Sequence, residues 1–210
     1  ETAMRDFSLE VFLSKWEFAA RHHLTASDSE SVTLSRLLEL ATPADRDRFM
    51  TVHLSYSQTF GSPTLLEAIA ATYSGIPAQD ILCFAGAEEG IYVCMRTLLA
   101  AGDHAFVLTP NYQAAETLPL AICETTGVPL LESEDWALDV DAIRAAVRPN
   151  TRLISINFPN NPTGTVPERA AFESLVELCR RHGIWLFSDE VYRGLERTDA
   201  DRIPPAAEVY

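Results

Sequence analysis

Lysine is all but missing from this chain, with Lys15 the only one in 210 residues. Arginine does not make up the difference: 16 basic residues face 30 acidic ones, for a formal charge of -14. That balance argues against nucleic acid as a partner, since a phosphate backbone calls for a basic face. Cysteine is scarce as well. Cys83, Cys94, Cys123 and Cys179 stand apart among apolar neighbours with no Cys-x-x-Cys, so free thiols in a reducing compartment, the cytoplasm, are expected. No apolar run approaches the roughly 20 residues of a membrane span, and no secretory leader is expected at the start. His22 and His23 are adjacent on an expected helix and point apart, so no metal site is expected there. Two glycine signatures are absent too. Without Gly-x4-Gly-Lys-Ser/Thr upstream, Ile184 to Glu190 is not the second half of a P-loop site, and Gly86-Ala87-Glu88-Glu89-Gly90 does not supply Gly-x-Gly-x-x-Gly.

What the chain does contain is ordinary globular composition, 47% hydrophobic and 22% charged, enough for one good core. Two apolar β-type runs, Thr151 to Ile156 and Ile184 to Phe187, flank a helical pattern from Pro167 to His182. Phe172, Leu175, Val176 and Cys179 recur in that pattern at i, i+3, i+4, i+7. A strand–helix–strand unit of this kind is parallel and right-handed, and ligands in open parallel sheets sit beyond the carboxyl ends of the strands. Asn161, Asp189 and Tyr192 therefore fall on one rim. Asn160-Asn161-Pro162-Thr163-Gly164 also reads as simple turn chemistry.

Upstream, residues 8–23 read as an amphipathic helix and 31–40 as a second, with Ser31 as its N-cap. A helix is expected from Pro63 to Tyr73, a short strand from Ile81 to Ala85, and a helix from the Gly86 turn to Ala101. Small residues at such a turn let backbone N–H groups crowd around an anion, aided by the helix dipole. Strands at Ala105–Leu108 and Val128–Glu132, with helices at Gln113–Cys123 and Asp141–Val147, complete an α/β pattern with a mostly parallel sheet.

Asn160-Asn161-Pro162-Thr163-Gly164, followed by Asp189-Glu190-Val191-Tyr192, resembles the class I/II pyridoxal-phosphate-dependent aminotransferases of fold type I. The resemblance implies a three-layer α-β-α large domain over residues 51–210, preceded by a helical arm over 1–50 that belongs to a small domain. It implies pyridoxal 5'-phosphate as cofactor, an amino acid and a 2-oxo acid as substrates, and a homodimer with shared sites. Residue by residue, Asp189 would pair with the ring nitrogen, and Asn161 and Tyr192 with the ring's 3-oxygen. The amides of Gly86, Ala87 and Glu88 would take the phosphate. Tyr112 would lie against the ring; the alternative is that it caps the helix that follows and packs on it. Tyr56, in Tyr-x4-Gly-x-Pro, would reach a neighbour's cofactor phosphate, and it also reads as a loop aromatic; Leu66 stands where the family commonly has arginine. Ala26 and Ser27 fall where a loop, usually with glycine, lies close to substrate.

The lysine that carries the cofactor and the arginine that grips the substrate carboxylate follow the Asp-x-x-Tyr motif in the family, and neither is in these residues. The expectation is the N-terminal part of such an enzyme, inactive by itself. The same fold also hosts lyases, cyclases and synthases, and non-catalytic cofactor-binding domains.

Overall fold

The computed structural model describes residues 4–210, so residues 1–3 of the expected arm lie outside the described residues. The chain opens with α1 (Ser8–Trp16), α2 (Leu34–Leu40), α3 (Pro43–Met50) and α4 (Pro63–Ala70). There follow α5 (Ala87–Leu98), β1 (His104–Thr109), α6 (Ala114–Ile122), β2 (Glu124–Pro129) and α7 (Val140–Ala146). β3 (Thr151–Asn157), α8 (Arg169–His182), β4 (Trp185–Asp189) and α9 (Ala206–Val209) complete it.

The strands form one sheet in the order β2-β1-β3-β4, and all three pairings are parallel. Alternation along the strands makes the layers. Phe106, Leu108, Ile154 and Ile156 point to one face and pack with Ile143 of α7 and with Phe172, Leu175, Val176 and Cys179 of α8. Ala105 and Leu153 point to the other, against Ile91 and Met95 of α5 and Ala114 and Leu118 of α6. Both faces are covered, which is why the central strands read as continuous apolar runs. α8 ends where Gly183 takes φ 63° and Ile184 N donates to Cys179 O at 2.9 Å, a left-handed stop that turns the chain into β4.

From β1 the chain runs through α6 to β2 on one side, then through α7 back across to β3 on the other. The strand order thus reverses between β1 and β3, and a crevice opens beyond their carboxyl ends.

Several expectations need correction. The run 81–85 joins no sheet among the described residues; its backbone tie is Cys83 N donating to Phe60 O at 2.8 Å. An apolar run becomes a strand only where a neighbouring edge can pair with it. The helix expected over 8–23 stops at Trp16, so His22 and His23 are not helical. The second helix starts at Leu34, capped by Thr33 rather than Ser31: the Thr33 side chain accepts from Arg36 N at 3.2 Å. α4 ends at Ala70, short of Tyr73. β2 runs from Glu124 to Pro129, using Thr125 and Thr126 rather than the residues after Pro129. α3 was not foreseen, because its polar sequence (PADRDRFM) carries no apolar stripe.

Candidate active site

The crevice is built from the last residues of the strands. Asn157 and Asp189 are register partners at the tips of β3 and β4. Asn157 ties three segments: its Nδ2 donates to Asp189 O at 3.0 Å, and its Oδ1 accepts from Asn161 N at 2.7 Å. Asn161 Nδ2 in turn donates to Tyr192 Oη at 3.3 Å, and Tyr192 Oη donates to Ser27 Oγ at 2.9 Å. One polar relay therefore runs from the sheet to the loop after α1.

The turn 159–164 is shaped by Asn160, which is buried. Its Oδ1 accepts from Thr163 N (3.2 Å) and Thr163 Oγ1 (2.7 Å), and its Nδ2 donates to Pro110 O at 3.3 Å. The turn is thus fastened to the exit of β1, and Asn161 is held facing the crevice. Asp189 Oδ1 accepts from Val191 N at 3.0 Å. Burial raises the Asp189 carboxyl above the ordinary aspartate value, and the Val191 amide offsets part of that rise.

The opposite end is the start of α5. Gly86 is its N-cap at φ 134°, a conformation that side chains avoid, while nothing crowds the space a Cβ would take. Backbone conformation, not room, is what calls for glycine here. The first-turn amides of Ala87 and Glu88 begin a helix of 12 residues. Tyr112 follows β1 and lies beside them, its hydroxyl 3.3 Å from Glu88 Oε1 and 3.3 Å from Glu10 Oε1 of α1. Burial, then the nearby Glu88 and Glu10, push the Tyr112 phenol well above its ordinary range. Burial is also the main cause raising Glu88, with Tyr112 opposing and Glu10 and Asp189 adding to it.

α1 roofs the crevice. Phe7 meets the Tyr112 ring edge-on at 5.1 Å, Leu9 N donates to Gln113 Oε1 at 3.4 Å, and Gln113 Nε2 donates to Asp6 O at 2.8 Å. The cavity is open to solvent on one side and about 700 Å³ in volume, within the usual size of small-molecule sites. Ala26, Ser27, Ala87, Glu88, Tyr112, Asn161, Asp189 and Tyr192 all line it. Gly86 adjoins it as the cap of α5. Tyr56 stands apart, wholly exposed and away from this cavity.

Sequence reasoning missed Asn157, Asn160, Glu10 and His23. Asn157 had a visible signal, a polar residue closing an apolar strand where the sheet meets a ligand edge. Glu10 and His23 had none, because only the folding of α1 and its following loop over the sheet brings them there.

The donor set suits pyridoxal phosphate: a half-buried carboxylate for a pyridinium, an amide–phenol pair for a ring oxygen, and helix-start amides for a phosphate. The family model described as aminotransferase class I and II matches residues 33–209. Arginine–pyruvate transaminase AruH of Pseudomonas aeruginosa is 29% identical over 168 residues, 77% of this chain and 42% of that protein. Aspartate aminotransferase of Pyrococcus horikoshii is 30% identical over 155 residues, 71% of this chain and 40% of that one. A crystal structure of a PLP-dependent aminotransferase from Streptococcus suis superposes with a TM-score of 0.90 at 31% identity, over 100% of this chain and 56% of its own. The chain thus spans about two fifths of the length of these curated relatives.

Proposed function

We propose, from the premise that this chain belongs to the class I and II aminotransferases and has their fold type I architecture, that it forms the cofactor-binding part of a transaminase. The enzyme moves an amino group between an amino acid and a 2-oxo acid with pyridoxal 5'-phosphate. The observation that carries this reading is the half-buried carboxyl of Asp189, in one cavity with the Asn161–Tyr192 pair and the first turn of α5.

When bound, the cofactor supplies an electron sink for the charge that develops at the amino acid's α-carbon. The chain's own residues do the rest of what is described. Asp189 holds the proton on the ring nitrogen; a cation against it stabilises the ionised carboxylate that burial otherwise disfavours. Asn161 Nδ2 and Tyr192 Oη orient the ring through its oxygen, kept in place by Asn157 and Ser27. The amides of Gly86, Ala87 and Glu88 hold the phosphate, and Tyr112 covers the ring while α1 limits access of water. Ala26 and Ser27 line the amino acid's side of the cavity.

Lys15 does not line this cavity; its Nζ lies 5.0 Å over the Trp16 ring. The 210 residues alone therefore bind the cofactor without turning over. We further propose a two-part organisation, an arm over 1–50 and a cofactor domain over 51–210. The complete exposure of Tyr56 is suited to reaching a second subunit's site in a homodimer. The free cysteines favour the cytoplasm, and among the described residues no helix is long and apolar enough to cross a membrane.

Titrating the chain with pyridoxal phosphate, read by visible absorbance and melting temperature, tests the reading. Saturable binding is expected, weakened by about tenfold or more in Asp189→Ala, the loss typical of a charged partner. Absence of saturable binding, or an Asp189→Ala protein that binds as tightly, rejects it.

A further inference from the structure

We infer that Ser27 is a further positioning residue of the cofactor site: its hydroxyl turns from acceptor to donor when the ring oxygen arrives, and so keeps Tyr192 as a donor to that oxygen. The inference rests on the reading above and goes beyond it only in how Tyr192 is held.

The hydrogens around Tyr192 Oη make such a turn necessary. A phenol has one hydrogen to give and accepts at most two. In the structure, Tyr192 Oη accepts from Asn161 Nδ2 at 3.3 Å and gives its own hydrogen to Ser27 Oγ at 2.9 Å. A phenol so arranged offers the ring oxygen nothing but a lone pair, and two lone pairs face to face repel. Tyr192 holds that oxygen only by giving it the hydrogen now directed at Ser27.

Ser27 has what the exchange needs. Among the described residues its Oγ makes no other hydrogen bond, so its own hydrogen is uncommitted. Two hydroxyl rotations, with no heavy atom displaced, turn the pair round. Ser27 Oγ then donates to Tyr192 Oη, and Tyr192 Oη donates to the ring oxygen, which fills both acceptor places of the phenol and uses its one hydrogen. Asn161 Nδ2 keeps its second hydrogen for the same oxygen. Hydroxyls in series polarise one another, so a phenol that accepts from Ser27 is the stronger donor. A glycine in this loop would bring no hydroxyl to do it.

Both ends of the relay are anchored. Asn161 is fixed by Asn157 Oδ1, which accepts from Asn161 N at 2.7 Å, and Asn157 is itself buried at the tip of β3. Ser27 belongs to the loop after α1, and the start of that helix is tied to the sheet side through Phe7 and through Gln113. A ring oxygen that strengthens the relay therefore also holds the loop, and the coupling works equally in the other direction. Its size is modest. Ser27 is exposed, and Ser27, Asn161 and Tyr192 also line a neighbouring cavity of about 660 Å³, from which water partly replaces a missing hydroxyl.

The test compares pyridoxal phosphate with 3-deoxypyridoxal 5'-phosphate, the same molecule without the ring oxygen. Binding of each to the parent, Ser27→Ala, Ser27→Gly and Ser27→Thr is measured by absorbance and thermal shift, with folding checked by circular dichroism. Ser27→Ala should weaken pyridoxal phosphate about three- to fivefold, the worth of one neutral hydrogen bond, and leave the deoxy analogue unchanged. Ser27→Gly, which also lacks the hydroxyl, should behave in the same way, whereas Ser27→Thr keeps it and should match the parent. With Tyr192→Phe in place, Ser27→Ala should change nothing further. The inference is overturned if Ser27→Ala and Ser27→Gly bind pyridoxal phosphate as tightly as the parent, or weaken both ligands alike, or if their effect persists beside Tyr192→Phe. A parent protein that takes up neither ligand overturns instead the cofactor reading, and this inference with it.

Discussion

Asp189 is a carboxyl held where burial works against its charge, and only the Val191 amide opposes that cost. Its proton affinity is thus higher folded than unfolded. Such a group stabilises the fold relative to its ionised state below the unfolded aspartate value, and that contribution is lost as pH rises through the folded value. Asp189→Asn removes the charge and keeps an oxygen for Val191 N. The variant should therefore melt higher than the parent near neutral pH, by about 1 kcal/mol or less after allowing for partial solvent access. The gap should close as pH falls below the ordinary aspartate range, where the parent's carboxyl is itself neutral. Cofactor affinity should move the other way, because an amide cannot hold the proton of a pyridinium. Thermal melts across pH, beside cofactor titrations, check both signs; a variant less stable at neutral pH would show that the carboxylate is stabilised by something other than Val191. Function and stability pull apart at this residue, a pattern common where a site needs a buried charge.

Among elements, the turn between β3 and α8 depends on one buried amide. Asn160→Ala strips the acceptor from Thr163 N and Oγ1 and the donor from Pro110 O, at a position that water barely reaches. A cost of about 2–3 kcal/mol is expected from groups left without partners, together with weaker cofactor binding, because Asn161 is then no longer held toward Tyr192. Urea unfolding and cofactor titration of the variant measure the two effects, and an unchanged affinity would mean that Asn157 alone positions Asn161. The same region shows what a sequence discloses. β3, α8 and β4 were legible because a buried strand and a one-sided helix write burial directly into spacing: Phe172, Leu175, Val176 and Cys179 all end in the core. The rim residues Asn161, Asp189 and Tyr192 followed from that parallel unit, and Ala87, Glu88 and Tyr112 from the resemblance; all line one cavity. The run 81–85 looked equally strand-like, yet spacing within a segment says nothing about whether an edge exists to pair with it. α3 was silent because a helix exposed all round needs no stripe. Glu10 and His23 reach the cavity only through the docking of Phe7 and Gln113 around Tyr112, contacts between positions about a hundred residues apart that no local pattern encodes.

At the scale of the molecule, burial is distributed unevenly along the chain. α1 to α4 contain no fully buried residue, while the strands β1 and β3 and helices α5, α7 and α8 hold the largest enclosed side chains. Apolar groups such as Phe18, Leu24 and Leu54 stand almost bare in the first part. Segments with few buried contacts open at a small fraction of the free energy needed to unfold the whole. Amide hydrogen exchange should accordingly divide the protein, with fast exchange from α2 to α4 and slow exchange in β1 and β3. α1 is the informative case, since it is exposed as a helix yet bound to the sheet side through Phe7, Leu9 and Glu10 around Tyr112 and Gln113. Exchange in α1 should be fast in the empty protein and slow when pyridoxal phosphate and an amino acid fill the cavity beneath it, because a ligand touching both floor and roof stabilises only the docked state. α2 to α4, which do not line that cavity, should not respond. Protection of α1 that is equal with and without ligands would mean the helix is fixed by the fold alone and does not report on the site.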